Sequence, residues 1–135
     1  MVEIQVVYEG DLHTRCTHGP SGSALETDAP KDNEGRGERF SPTDLLATSL
    51  GSCMLTTMGI LARRRGWAFE GARARVEKHM VATPERRIGR LVVALELPAV
   101  PGEARPLLER AAHACPVKRS LHPDVAVDVH FRWDV

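Results

Sequence analysis

LLATSLGSCMLTTMGILA, residues 45–62, runs for eighteen residues without a charge and carries Cys53 near its middle. A stretch of that length reaches the lower limit for a membrane span, and Arg63, Arg64 and Arg65 follow it directly. Its content of Gly51, Gly59, two serines and three threonines suits close packing better than lipid contact. We therefore read it as the buried helix of a globular protein. Ser41-Pro42-Thr43-Asp44 supplies the start: Ser41 as cap, Pro42 preset at the first helical position, and Asp44 against the positive end of the helix dipole. Gly66 supplies the stop, so the helix is expected from about Pro42 to Arg65. A helix uncharged on every side must be covered on every side, which asks for more than one small sheet and hints at a partner subunit. Gly51 and Gly59 would let a neighbouring backbone approach closely.

Before the helix, Val2, Ile4, Val6 and Tyr8 alternate with polar residues, as in a half-buried strand. Residues 12–18 alternate again, and Gly19-Pro20-Ser21-Gly22 turns the chain into a short strand at 23–27. Residues 29–40 are polar, contain Gly35 and Gly37, and read as a loop long enough to be functional. After the helix, Ala72, Ala74 and Val76 alternate against Arg73, Arg75 and Glu77. A Thr83-Pro84-Glu85 turn leads to the return strand at 88–97, forming a hairpin. Residues 103–114 suggest a second helix with Leu107, Ala111 and Cys115 on one face, and Val125, Val127, Val129, Phe131 and Trp133 close the chain as a strand. The order is three strands, a long helix, two strands, a helix and a strand. Joined by hairpins rather than βαβ crossovers, these elements make an α+β fold of antiparallel strands in a single domain, residues 1–135.

Composition narrows the function. With 135 residues, 42% hydrophobic and 27% charged, the chain is globular and holds one core. Its formal net charge is zero, and the arginine triplet reads as a solvated helix end, so neither nucleic acid nor an anionic membrane is an expected partner. Three cysteines do not make a secreted disulfide framework, and the first residues show no basic leader with an apolar core, so a reducing cytoplasm is expected. His13, Cys16 and His18 are near one another, but without CxxC, HExxH or a second cluster at zinc spacing no metal is expected. No glycine-rich phosphate loop or GxSxG is present, which removes nucleotide and serine-hydrolase chemistry.

The thiols remain. A cysteine in an apolar helix is ordinarily inert, since low polarity disfavours the thiolate. Cys115 precedes Pro116, which pushes it out of helical geometry. It is therefore either the closing residue of the second helix or the cap of a short following one, where helix-terminal amides would lower its pKa. Cys16 reads as a strand residue facing the core.

Two segments resemble a known family. Residues 35–54, GRGERFSPTDLLATSLGSCM, are similar to the helix-start and cysteine motif of the OsmC/Ohr family, and residues 111–116, AAHACP, resemble its second-cysteine segment, with 61 residues between the two cysteines. The resemblance covers nearly the whole chain. It implies an OsmC-like fold with a long central cysteine-bearing helix, an intertwined homodimer with active sites at the subunit boundary, and a thiol peroxidase that needs no cofactor. Cys53 would attack the O–O bond of an organic hydroperoxide, Cys115 would resolve the sulfenic acid as a Cys53–Cys115 disulfide, and a dithiol of lipoyl type would reduce it. An apolar pocket suits a greasy peroxide, provided a cation offsets the buried thiolate.

Family peroxidases supply that cation from an arginine in the N-terminal strands, held by a glutamate ten residues before the cysteine. Here that position is Thr43, with Asp44 adjacent. Arg15 is the first candidate for the arginine and Arg39, in the glycine loop, the second, with Asp44 as orienter. The departure points to a broader OsmC-like branch. Readings of a different kind are a non-enzymatic module holding a small apolar ligand and a thiol redox sensor.

Overall fold

The computed structural model describes residues 1–135, which form two compact units, Met1–Leu46 and Ala47–Val135. The first holds three strands, β1 (Ile4–Gly10), β2 (His13–His18) and β3 (Ala24–Asp28), in an antiparallel sheet of order β1-β2-β3. β2 begins at His13 because Asp11 and Leu12 take positive φ in the tight turn after β1, which removes Leu12 from the expected strand. The β2–β3 register pairs His13 with Asp28, Arg15 with Glu26 and Cys16 with Leu25. The β1–β2 register slips between Tyr8 and Gly10, so Glu9 sits at a bulge. The expected half-burial of β1 is not what the chain shows: Ile4 and Val6 are each 60% exposed and Tyr8 64%. The alternation does form a strand, but its apolar side chains stay largely exposed in this chain. The polar loop at 29–40 contains one 3-10 turn, Lys31–Asn33.

α1 (Pro42–Arg65) has the bounds its sequence signals require. Ser41 and Asp44 close a reciprocal capping box: the Asp44 amide donates to Ser41 Oγ at 3.0 Å, and the Ser41 amide donates to Asp44 Oδ2 at 2.9 Å. Only one face of α1 is buried, through Ala47, Leu50, Gly51, Met54, Met58 and Ala62. Thr48, Ser52, Thr56 and Ile60, four apart, form an exposed row on the opposite side. Coverage on every side, expected from composition, is thus not supplied within one chain.

The second unit contains β4 (Arg73–Val81), β5 (Arg87–Leu97), α2 (Ala104–His113), α3 (Pro116–Ser120) and β6 (Ala126–Trp133). β4 and β5 form the expected hairpin, with Val76 opposite Val93. β6, however, pairs with β5 in parallel, Arg90 opposite Ala126 through Leu97 opposite Trp133. This corrects the reading of antiparallel strands joined only by hairpins: α2 and α3 make the crossover that a parallel pair requires. The core collects Leu50, Met54 and Met58 of α1 with Leu91, Val93, Leu95 and Leu97 of β5. α2 contributes Ala104, Leu108 and Ala112 to it, one position away from the expected face of Leu107 and Ala111. Gly51 does permit a close approach, but to this chain's own β4: a Cβ there would meet Val76 Cγ2 at 2.8 Å and Ala74 Cβ at 3.4 Å.

Candidate active site

Cys53 lies on α1 one position before the buried Met54, so its side chain stands at the edge of the core face, half-buried and packed against the core cluster. Cys115 lies after α2, fully buried in the same cluster. Of the two geometries open to it, the structure adopts the second: Cys115 is the extended N-cap of α3, with Pro116 at the first helical position and the Lys118 amide donating to its Sγ at 3.3 Å. Across 61 intervening residues, the fold brings the two side chains to the same core cluster as free thiols, Cys53 near enough to bear on the titration of Cys115.

The cap position does not activate Cys115. Burial pushes its thiol above the ordinary value of 9.0, the neighbouring Cys53 adds to the rise, and the opposing Lys118 and Val117 amides do not cancel it. Cys115 therefore carries its proton at neutral pH. The expectation that helix-terminal amides would make it reactive is corrected, because desolvation outweighs two amide dipoles.

In the first unit, β2, β3 and the following loop assemble a second cluster of chemistry-bearing groups. Glu26 is its hub. Arg15 Nη2 lies 3.5 Å from Glu26 Oε1, Arg39 Nε lies 3.6 Å from Glu26 Oε2, and His13 Nε2 lies 3.2 Å from Oε1. Glu9, at the bulge, reaches Arg15 Nε and His13 Nε2 at 3.6 Å each. His13 Nδ1 meets the buried Asp28 carboxylate at 2.6 Å. The imidazole pKa is raised from 6.5, first by the bond to Asp28 and then by that to Glu26. Both carboxylates are held below their ordinary values, chiefly by hydrogen bonding to His13. An open cleft of about 240 Å³ adjoins the cluster, with His13, Asp28 and Arg39 in its walls.

Arg15 and Arg39, the two candidate cations, are thus brought together on one carboxylate. Asp44, the expected orienter, is engaged in the capping box at the start of α1. Cys16 sits half-buried in β2 between Val6 and Leu25, its Sγ 3.9 Å from Thr14 Oγ1. Donor atoms of Glu9, His13 and Glu26 lie within 4.8 Å of one another, a spacing that admits a metal ion. The carboxylates of Glu9, Glu26 and Asp28 already face two guanidiniums and an imidazole of raised pKa, so little uncompensated negative charge remains to attract one. Glu26, Glu9 and Asp28 were not singled out in the sequence. The signal was nonetheless there, because the turn at 19–22 sets a register that places Glu26 opposite Arg15 and Asp28 opposite His13.

Comparison with known proteins follows this geometry. Residues 35–130 match the family model described as OsmC-like protein. A crystal structure from Psychrobacter arcticus, provisionally described as an osmotic stress induced and detoxification response protein, is 43% identical over 98% of this chain and 96% of its own, with a TM-score of 0.92. An organic hydroperoxide resistance protein OsmC from Legionella pneumophila is 21% identical over 100% and 97% of the two chains, with a TM-score of 0.73. An OsmC-like protein from Mycoplasma pneumoniae is 16% identical over 100% and 98%, with a TM-score of 0.82. The last two share the fold. No curated protein sequence matches the chain.

Proposed function

The chain belongs to the OsmC-like family, and from that premise we propose that it is a cysteine-based peroxidase reducing organic hydroperoxides in defence against oxidative stress. The observation that carries this reading is that the free Cys53 and Cys115 thiols meet at one core cluster, with 61 residues between them in sequence. In the proposed cycle, the Cys53 thiolate attacks the hydroperoxide, the O–O bond breaks, and the alcohol leaves with a proton as Cys53 becomes a sulfenic acid. The Cys115 thiol then displaces water to give the disulfide, and a dithiol, of lipoyl type in our reading, returns both cysteines to thiols while being oxidised itself. Burial of Cys115 suits its part: it keeps a protonated thiol in reserve and does not compete for peroxide.

Arg15 is the proposed cation of the Cys53 thiolate, with Arg39 second and Asp44 as orienter. The assembly is proposed to be an intertwined homodimer in the cytoplasm. The exposed row of α1 and the exposed apolar side chains of β1 support a partner copy, since contiguous exposed apolar surface marks an interaction site. The name of the Legionella relative supplies the substrate class.

The test is cumene hydroperoxide consumption with a lipoyl dithiol, followed by peptide mapping of protein given limited peroxide. We expect turnover, its loss in Cys53→Ser, and an intramolecular Cys53–Cys115 disulfide. A linkage through Cys16, or turnover with both thiols reduced throughout, overturns the assignment. Oxidation of Cys53 without turnover would favour a redox sensor, and peroxide left untouched would favour a ligand-binding module.

A further inference from the structure

We propose that the cleft where α1 ends and the chain turns toward β4 is a binding site for a small aromatic carboxylate, a ligand the peroxidase reading neither needs nor supplies. The cleft measures about 580 Å³, within the ~300–1,000 Å³ usual for small-molecule sites, and lies wholly inside the second unit. Gly59 and Arg63, one turn apart on α1, form one side, and Trp67, Phe69 and Glu70 form the other. It is set apart from the thiols: Gly59 follows Cys53 by six residues, about 9 Å along the helix axis and about 120° around it.

The way α1 stops builds the walls. Gly66 takes a φ of 72°, and the Trp67 amide donates back to the Ala62 carbonyl at 2.9 Å, so the chain reverses and runs beside the helix it has just left. That reversal brings the Phe69 ring to Gly59, where an added Cβ would stand 3.9 Å from Phe69 Cδ2. Glycine leaves this space open. Trp67 and Phe69 also pack against the core, so both rings are held before any ligand arrives. Two such rings suit a flat apolar body, which can stack offset or edge-on against them.

Charge selects the head group. Arg63 makes no ion pair, and Arg65 lies over the Trp67 ring at 5.8 Å from its centroid, so two guanidiniums border the aromatic walls. Glu70, the one carboxylate in the lining, already accepts the Phe69 amide at 3.1 Å. The helix C-terminus adds only about half a negative charge, against the three positive charges of Arg63, Arg64 and Arg65. The balance is positive, and a guanidinium can meet a carboxylate with paired hydrogen bonds.

The experiment titrates the intact protein with naphthoate by calorimetry, with naphthamide as the uncharged analogue of the same shape, and maps the site by backbone amide NMR shifts. Naphthoate is expected to bind more tightly than naphthamide and to move the amide signals from Gly59 to Glu70. Arg63→Ala should weaken naphthoate about 3- to 10-fold, between an exposed ion pair and a desolvated charge-assisted bond, and leave naphthamide unchanged. Gly59→Leu, which fills the space beside Phe69, should abolish binding of both, and its amide spectrum shows whether the fold is intact. If that variant unfolds, Arg63→Ala decides alone, since it alters only an exposed side chain. Cys53→Ser should bind naphthoate as wild type does. Absence of naphthoate binding, equal affinity for naphthamide, shifts centred elsewhere on the chain, a silent Arg63→Ala, or loss of binding in Cys53→Ser each overturns the proposal.

Discussion

Gly51→Ala sets two effects of known sign against each other two residues from Cys53. In an exposed helix interior the change would stabilise by about 1 kcal/mol, because alanine gives up less backbone freedom than glycine. Gly51 is buried against β4, and the new methyl would start 2.8 Å from Val76 Cγ2 and 3.4 Å from Ala74 Cβ. The first distance is well inside the ~3.5–4.0 Å of carbon–carbon contact. Val76 cannot easily turn aside: its side chain is β-branched and stiff at χ1, and its backbone is held in register opposite Val93. Overpacking of this kind costs about 1–3 kcal/mol, so the sum is a destabilisation of about 0–2 kcal/mol, with Tm falling by about 3–5 °C for each kcal/mol in a chain of this size. The sharper expectation lies in the Val76→Ala background. There Cγ2 is gone, the helix propensity acts unopposed, and Gly51→Ala should become stabilising by up to about 1 kcal/mol. Thermal melts of the four proteins at one fixed concentration check this. A raised Tm for Gly51→Ala alone, or equal shifts in the two backgrounds, would refute the close seating of α1 on β4.

Static light scattering at micromolar concentration should return about double the chain mass of 14.8 kDa, and a value near 14.8 kDa would sink the proposed dimer. His13→Gln should destabilise in a pH-dependent way. The raised imidazole pKa contributes stability in full below 6.5 and loses it as pH rises through the folded value, while the lowered Glu26 and Asp28 contribute above 4.5 and 3.8 and lose it as pH falls through theirs. The Tm gap between wild type and His13→Gln should therefore be widest on the weakly acidic side of neutrality and shrink toward alkaline pH. A constant gap from about pH 5 to about pH 9 would contradict the network.

How far the sequence discloses this molecule depends on how local each signal is. The bounds of α1 were legible because Ser41, Pro42, Asp44 and Gly66 act on the helix ends alone. The two cysteine segments were legible as motifs, but the meeting of their side chains at one core cluster is a product of tertiary structure. The buried face of α2 was missed by one position: Leu107 and Leu108 are adjacent and equally apolar, as are Ala111 and Ala112, and only the sheet beneath selects Leu108 and Ala112. The parallel direction of β6 was invisible for a related reason, since Val127, Val129 and Phe131 alternate identically whichever way the strand runs. The Glu26 hub lay in between, recoverable from a turn and a register but spread over residues that look unremarkable one at a time. Burial of Cys115, which reverses the effect of its cap, has no trace in its neighbours along the chain.

The parallel β5–β6 pair has a kinetic corollary. Cys115 rides on the crossover, and the crossover is closed only when Ala126 to Trp133 dock beside Arg90 to Leu97, a pairing between residues 36 positions apart along the chain. Contacts of such separation bear a large loop-closure entropy and form slowly compared with a hairpin like β4–β5. Cys53 stands on a local helix, whereas Cys115 belongs to a crossover whose closure is nonlocal. Removal of β6 would leave that crossover without its closing strand, and a disulfide between the two cysteines, if the proposed cycle holds, is expected to form less readily in a chain truncated before Ala126, as peptide mapping after limited peroxide would show.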